Sequence, residues 1–158
     1  MHDRGGPPVH LVGVAGPRSA LLDQPGLHRR LAPHDIDAGF VRALTEHDGP
    51  VLVLVDDADR GDEDGPIADL VRLGRPGLHV VAAGRAESLR QTFGHWTRAV
   101  RASRTGLLLQ PDLDLDGDLL GCHLPRRAPV PIGRGRGWLV NDGDARLVQL
   151  ALRSTRSC

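Results

Sequence analysis

Nine residues near the middle of the chain, GPVLVLVDD at positions 49–57, constrain the fold more than any other segment. Five successive apolar residues, Val51 to Val55, follow a Gly-Pro pair and do not alternate with polar residues. Such a run is typical of a strand in the middle of a parallel sheet, where both faces are covered. We therefore expect a strand that is buried on both faces and ends at Asp56 and Asp57.

Other short apolar runs also predict strands. Two of them, LHVVAAG and TGLLLQP, resemble the central run and predict further buried strands. A Pro- and Gly-rich stretch at 126–137, interpreted as a surface loop, precedes two late candidates. The predicted strands lie within residues 9–16, 51–55, 78–84, 105–111, 137–140 and 146–152.

Segments with apolar residues at helical spacing lie between these predicted strands. Three segments show it, and the last has a predicted break at Gly94. The predicted helices lie within residues 35–47, 64–77 and 86–103. Strands that alternate with helices in this way predict an α/β fold with a mostly parallel sheet, in one domain of 158 residues.

The amino-acid composition excludes several kinds of binding and catalysis. Twenty arginines balance 20 acidic residues, so a nucleic acid could be attracted only by a local patch of charge. The chain has no lysine, which excludes Schiff-base catalysis and the phosphate-binding lysine of a P-loop. Cys122 and Cys158 do not form a C-x-x-C pair, and we expect reduced thiols. Neither a signal sequence nor a membrane-spanning run is found, which predicts a cytoplasmic protein.

The two aspartates that end the central strand are candidate ligand-binding residues. Side chains just beyond a parallel strand face the crevice in which ligands bind. An aspartate after a buried apolar strand matches the Walker B pattern, which holds the water shell of a nucleotide-bound Mg²⁺. A second interpretation is simpler, because aspartate at this position is also a common helix N-cap. The pattern alone favours the cap.

Glycine-rich segments do not complete a phosphate site. The pattern G-x-x-x-x-G-K-[ST] is missing, and GVAGPRSA after the first strand has the wrong spacing. GRGRG at 133–137 could form an anion-binding nest with Arg134 and Arg136. It is not a dinucleotide fingerprint, because Trp138 replaces the last glycine and a strand follows. A flexible turn into that strand is the favoured interpretation.

An aspartate-rich segment, DLDLDGDLLGCH at 112–123, begins like a calcium loop. Its twelfth position, where a bidentate carboxylate is required, is His123, and an apolar strand rather than a helix precedes it. We therefore expect a turn in which Asp116 and Asp118 cap a short helix. The serines have no nucleophile motif, and Ser19 receives no role. His95 and His123 have no ligand partners at metal spacing.

Three arginines, Arg98, Arg101 and Arg104, recur at a spacing of three residues before the 105–111 strand. On a helix they would share one broad face. That face could contact a polyphosphate or a neighbouring subunit's nucleotide. A solvated surface with weak ion pairs is the simpler alternative and is favoured.

Several of these segments, in this order, resemble the FtsK/SpoIIIE family of motor ATPases. The resemblance extends to its actinobacterial branch, which includes the multi-ATPase motors of type VII secretion. It rests on VLVLVDDADR, GLHVVAAGRAESLR, HWTRAVRASRTGLLLQPDLDLDGDLLG, LPRRAPVPIGRGRGWLV and RLVQLAL, within residues 50–152. It implies the C-terminal half of a RecA-like P-loop NTPase domain, with a parallel sheet flanked by helices and a C-terminal β-hairpin.

The same resemblance implies site residues. Asp56 would bind Mg²⁺ of ATP through water, and Asp57 occupies the position of a catalytic glutamate. Arg85, after the next strand, would lie near the nucleotide. Arg104 or Arg101 would act on the nucleotide of a neighbouring subunit. ATP and Mg²⁺ are expected only in a complete site, since this chain lacks Walker A.

Two functions follow from the resemblance. The first is the ATPase module of a DNA translocase, which supplies the Walker B side and has double-stranded DNA as a partner. Hydrolysis would then need other motor subunits or a partner that brings the P-loop. The second is a degenerate, non-hydrolysing module with an interaction or regulatory role, in a motor of type VII protein secretion.

Overall fold

The computed structural model describes residues 8–126, 131 and 133–151. These residues form two compact units, which divide between Val100 and Arg101. The first unit contains a parallel sheet with helices, and the second contains an antiparallel sheet. The predicted α/β fold with a C-terminal β-hairpin is confirmed.

Four parallel strands form the sheet of the first unit, in the order β2-β1-β3-β4. The predicted central strand is β3, which pairs with β1 on one side and β4 on the other. Val53, for example, is opposite Val12 on β1 and Val80 on β4. The strand bounds are β1 His10–Val14, β2 Arg29–Leu31, β3 Val51–Val55 and β4 Leu78–Ala82.

Local signals account for the bounds of the two longer helices. Asp37 precedes α1 (Ala38–Thr45), and its carboxylate accepts a hydrogen bond of 2.7 Å from the Phe40 N–H. Pro66 begins α2 (Pro66–Leu73), and Gly74 ends it in the left-handed conformation.

The third predicted helical segment contains two short helices. They are α3 (Ala86–Gln91) and α4 (Thr97–Arg101), so the predicted break at Gly94 is confirmed. Arg98, Arg101 and Arg104 do not share one helix face, because α4 ends at Arg101 and Arg104 has a positive φ of 51°.

The core of the first unit lies on one face of the parallel sheet. Val51 and Val53 are fully buried there, against Phe40 of α1 and Leu70 of α2. Residues on the opposite face of β3 are only half-buried, so the prediction of two buried faces is wrong for that face. Both α1 and α2 contribute to the one buried core.

Strand β4 also differs from its prediction. It is an edge strand rather than a buried one, and Val81 is 52% exposed. An apolar run of this length does not distinguish a central strand from an edge strand, because both alternatives need apolar residues on the core face.

The second unit is a three-stranded antiparallel sheet in chain order. Its strands are β5 Gly106–Leu109, β6 Arg136–Asn141 and β7 Asp144–Gln149. Asp142 and Gly143 join β6 to β7, and both have the positive φ that a two-residue hairpin turn requires. The prediction of a buried strand at 105–111 is wrong, because β5 pairs antiparallel with β6 and Leu109 is 53% exposed.

The aspartate-rich segment forms a turn followed by the 3-10 helix Asp116–Leu120. Asp116 is buried, and its carboxylate accepts a hydrogen bond of 2.8 Å from the Asp112 N–H. The short helix is thus confirmed, but Leu115 occupies its N-cap position without a side-chain bond. Burial raises the pKa of the nearby Cys122 thiol, which donates to the Gly117 carbonyl. That thiol is therefore protonated at neutral pH.

The last two residues of GRGRG, Arg136 and Gly137, belong to β6. The segment thus leads into a strand, as predicted. Residues 127–130 and 132 of the surface loop, residue 152 of the last predicted strand and Cys158 lie outside the described residues. Across the part of the chain that the structure describes, no helix is both long and apolar enough to span a bilayer.

Candidate functional site

Three chain segments meet at the carboxyl edge of the parallel sheet. The Asp56 N–H donates to the Val14 carbonyl of β1 over 3.0 Å, and the Ala58 N–H donates to the Ala83 carbonyl over 2.8 Å. The segments that follow β1, β3 and β4 are therefore adjacent. This edge is where parallel α/β sheets bind ligands.

Asp56 has an ordered carboxylate at this edge. Its Oδ2 accepts a hydrogen bond of 2.5 Å from Ser19 Oγ, and its Oδ1 accepts one of 3.0 Å from the Asp57 N–H. Ser19 Oγ in turn accepts a hydrogen bond of 3.1 Å from the Leu21 N–H. These bonds hold both carboxylate oxygens in fixed directions.

Ser19 is the residue that sequence reasoning missed. No catalytic serine motif surrounds it, and its partner is 37 positions away. The predicted topology could have indicated Ser19, because the loops that follow two neighbouring parallel strands lie at the same edge of the sheet. Ser19 follows β1, and β1 pairs with β3.

Asp57 combines an exposed side chain with an unusual backbone. Its φ of 50° and ψ of 36° place it in the left-handed region, directly before the 3-10 helix Ala58–Arg60. Asp57 occupies the N-cap position of that helix, but its side chain makes no cap hydrogen bond. The backbone conformation costs about 1 kcal/mol for a residue with a Cβ. The simple capping interpretation therefore does not account for this aspartate.

Arg85 borders the same edge through its backbone. Its N–H donates to Asp59 Oδ1 over 3.3 Å, and it directly precedes α3. Gly84 allows this close approach, because a Cβ there would lie 2.8 Å from Asp59 Oδ1. Asp56, Asp57 and Arg85 are thus brought to one edge of the first unit.

Arg104 lies in the second unit and has partners there. Its Nη2 donates to the Gly121 carbonyl over 3.1 Å, and its Nη1 lies 3.9 Å from Asp142 Oδ1. Its own carbonyl accepts from the Gly143 N–H over 3.2 Å. These contacts link Arg104 to the β6–β7 turn, while Arg101 is the last residue of α4.

His95 has a structural role. Only 2% of it is exposed, and its ring nitrogens contact Thr97 Oγ1 at 2.9 Å and the Gly61 carbonyl at 3.2 Å. His123, by contrast, is exposed. Neither histidine joins the carboxyl edge as a ligand.

Two cavities open beside Asp56 and Asp57. The first, of about 510 Å³, has both charged and small residues in its lining: Gly16, Pro17, Arg18, Ser19, Ala20 and Arg60. The second, of about 320 Å³, is mainly apolar and includes Val14, Ile36, Val55, Ala68 and Trp96. Arg60 borders both cavities beside the aspartates, and the first cavity also includes Arg18.

The residues at this edge lack several groups that a Mg-ATP site requires. Asp56 and Ser19 have the oxygen donors that a hydrated Mg²⁺ prefers. The segment at 13–20 has no glycine-rich loop with a lysine that could surround the phosphates. Among the described residues, no group of three His, Cys, Asp or Glu side chains could hold a metal ion. The described site therefore does not fit Mg-ATP on its own.

Comparison with known proteins identifies the fold. No protein-family model and no curated protein sequence matches the chain. The solved structure of EssC ATPases 2 and 3 from Geobacillus thermodenitrificans matches with a TM-score of 0.64 and 17% identity, over 89% of this chain. The cytoplasmic domain of EssC matches with a TM-score of 0.55 and 17% identity, also over 89%.

This chain spans about a third of each solved structure, 31% and 33% of their lengths. At this level of identity the similarity establishes the fold rather than the activity. The chain therefore has an α/β fold similar to that of the ATPase domains of EssC.

Proposed function

We propose that this chain is a degenerate ATPase-like module of an EssC-like, type VII secretion motor, which does not hydrolyse ATP alone and acts through a partner. The single observation that supports this most is Asp56 at the carboxyl edge of an EssC-like sheet, held by Ser19 and without a phosphate loop. Residues 1–158 would act as one domain in the cytoplasm.

The two aspartates at the candidate site support the proposal of a degenerate module. Asp57 is one methylene shorter than the glutamate that the family resemblance places there, and its backbone is left-handed. Asp56 already has a hydrogen bond to each carboxylate oxygen. Asp56 would still orient a Mg²⁺-bound water and Arg85 would border the nucleotide, provided that a partner brings the phosphate loop. Arg104 or Arg101 would then act on a neighbouring subunit.

DNA translocation is the weaker alternative. The two similar structures are EssC ATPase regions, and the net charge of zero gives no general attraction to a duplex. Double-stranded DNA therefore stays a prediction from the family resemblance. A gel-shift titration at low and high salt would test it.

Phosphate release from ATP tests the proposal. We expect the purified chain with Mg-ATP to release phosphate no faster than a buffer blank, and Asp56→Asn to leave that rate unchanged. Asp62→Asn, at an exposed acid nearby, is the matched control. Multiple turnovers of ATP that are lost in Asp56→Asn but kept in Asp62→Asn would overturn the proposal.

A further inference from the structure

The mainly apolar cavity beside Asp56 lies within the first unit and has a buried apolar lining. Its volume of about 320 Å³ is in the range of small-molecule binding sites. The buried apolar residues that line it are Val14, Ile36, Val55, Ala58 and Ala68. The cavity therefore suits the apolar body of a small ligand.

Carboxylates dominate the charge around this apolar cavity. The charged residues that border it are Asp56, Asp57, Asp62, Asp64 and Arg60. Asp64 Oδ1 also lies 2.5 Å from Arg72 Nη2, which balances part of its charge. With both arginines counted, the carboxylates still outnumber the guanidinium groups by two. This surplus favours a ligand with a positive charge and disfavours an anion, because like charges at short range repel.

The indole N–H of Trp96 adds a hydrogen-bond donor to the cavity. Trp96 lines the cavity and is only 6% exposed. Its Nε1 lies beside Gly61, 3.9 Å from the position that a Cβ there would occupy, and Gly61 also lines the cavity. None of the residues that the structure describes accepts a hydrogen bond from this N–H. A buried donor without an acceptor is unfavourable, so a ligand that supplies an acceptor would gain affinity.

We propose that this cavity binds a small organic cation, a protonated amine that has an apolar body and a hydrogen-bond acceptor for the Trp96 N–H. The apolar body would cover the buried lining, and the ammonium group would stay among the carboxylates. Three of these acids, Asp57, Asp62 and Asp64, are exposed, so the ammonium group keeps part of its hydration.

Two other classes of ligand fit this cavity less well. A metal ion needs several converging ligands, and no group of three His, Cys, Asp or Glu side chains among the described residues could hold one. A nucleotide would bring its phosphates close to the carboxylates, which is unfavourable. The apolar lining has no use for either charge, whereas an amine with an apolar body uses the lining, the carboxylates and the Trp96 N–H together.

NMR spectra of the indole N–H groups test the proposal on the full chain. The probes are three para-acetylphenyl amines, with one, two or three methylene groups between the ring and the nitrogen. The chain has two tryptophans, and Trp138, which does not line the cavity, is a control in the same spectrum. We expect at least one amine to shift the Trp96 N–H signal saturably and to leave the Trp138 signal in place.

Two changes to the probe separate the contributions of charge and hydrogen bonding. A para-isopropyl group in place of the acetyl group keeps the number of heavy atoms and removes the acceptor, so binding should weaken about tenfold. A carboxylate in place of the amine reverses the charge and should abolish binding. Affinity of the amine should also fall as the salt concentration rises.

Variants of the protein identify the groups that bind the amine. Asp57→Asn and Asp62→Asn each remove one carboxylate and should weaken binding about two- to fivefold. Asp48→Asn, at an exposed acid that does not line the cavity, is the matched control and should leave binding unchanged. Gly61→Leu should block binding, because its side chain would cover the Trp96 N–H. A Cβ at Gly61 meets no atom closer than 3.7 Å, so the fold tolerates this change.

Several outcomes would overturn the proposal. One is the absence of a saturable Trp96 shift with all three amines at up to about 10 mM. Others are equal binding of the amine and the carboxylate, equal shifts of Trp96 and Trp138, or full binding by Gly61→Leu. Binding is measured without nucleotide, so the result does not depend on the proposed function.

Discussion

Ser19 and Asp56 are joined by a hydrogen bond of 2.5 Å from Ser19 Oγ to Asp56 Oδ2. The bond links the loop after β1 to the end of β3 and fixes the side chain on which the candidate site depends. The backbone N–H of the next residue, Asp57, donates a hydrogen bond to the other carboxylate oxygen of Asp56. The Ser19–Asp56 hydrogen bond therefore contributes both to the stability of the first unit and to the fixed orientation of the Asp56 carboxylate.

Removal of the serine hydroxyl should destabilise the protein. Ser19→Ala leaves Asp56 Oδ2 without its donor, and we expect the free energy of unfolding to fall by about 1–2 kcal/mol. Urea denaturation measures the change. Ser19→Thr keeps a hydroxyl and is the control. In a double-mutant cycle, no coupling between Ser19→Ala and Asp56→Asn would contradict this assignment.

The effect of a substitution at Asp57 on the stability of the protein should depend on whether the new residue tolerates a left-handed backbone. Its φ of 50° is accessible to glycine without strain, so Asp57→Gly should keep or raise stability by up to about 1 kcal/mol. Asp57→Val should lower it by about 1–2 kcal/mol, because a β-branched residue strongly disfavours that region. Thermal melts compare these with Asp62→Val, an exposed position. Equal effects of valine at both positions would show that the strain is absent.

The GRGRG segment gives a matched pair of glycines. A Cβ at Gly137 would clash with the Leu108 carbonyl of β5, whereas a Cβ at Gly133 meets nothing within 4 Å. Gly137→Ala should therefore lower the denaturation midpoint of the antiparallel sheet, and Gly133→Ala should leave it unchanged. Tryptophan fluorescence, which includes the signal of buried Trp138, follows both transitions. Identical midpoints for the two variants would contradict the packing of β5 against β6.

Acid should weaken the folded state through His10. Burial, followed by repulsion from His47, His28 and Arg29, lowers the pKa of His10 from its ordinary value of 6.5. The unfolded chain therefore binds this proton more readily than the folded one. The His10 contribution to stability is complete above pH 6.5 and is lost as the pH falls from there towards the folded pKa.

The measurement is the melting temperature as a function of pH. The His10 ring is stacked on His28 with 4.9 Å between ring centroids, and it is tilted against His47 with 4.8 Å between centroids. His10→Gln should therefore reduce the loss of stability between about pH 7 and pH 5. His123→Gln, at an exposed position, is the control. A slope that His10→Gln leaves unchanged would assign the acid sensitivity to other groups.

Much of the fold could be predicted from short-range sequence signals. The spacing of apolar residues predicted α1, and Pro66 with Gly74 predicted the ends of α2. Pairing partners could not be predicted in the same way. The leucines of β5 suit either a parallel or an antiparallel neighbour, and only the register opposite Trp138 and Leu139 shows which one it has.

The candidate site was predictable at its strand end and not beyond it. Asp56 follows an apolar run, which is a local pattern, whereas Ser19 reaches it across the sheet from 37 positions away. The left-handed backbone of Asp57 has no sequence signal either, because aspartate is common in many turns. The sequence alone therefore showed neither the long-range contact of Ser19 nor the local backbone conformation of Asp57.

The two sheets differ in how far apart their paired residues lie in the chain. In the hairpin of the second unit, Asn141 is opposite Asp144 across the two-residue turn. In the parallel sheet, His10 is opposite Val51, and such a pairing requires closure of a long loop before any contact forms. Proteins rich in near-neighbour contacts fold faster. In pulse-labelling during refolding, the β6 and β7 amides should therefore gain protection before those of β1 and β3, so the β6–β7 hairpin would form while the parallel sheet is still open.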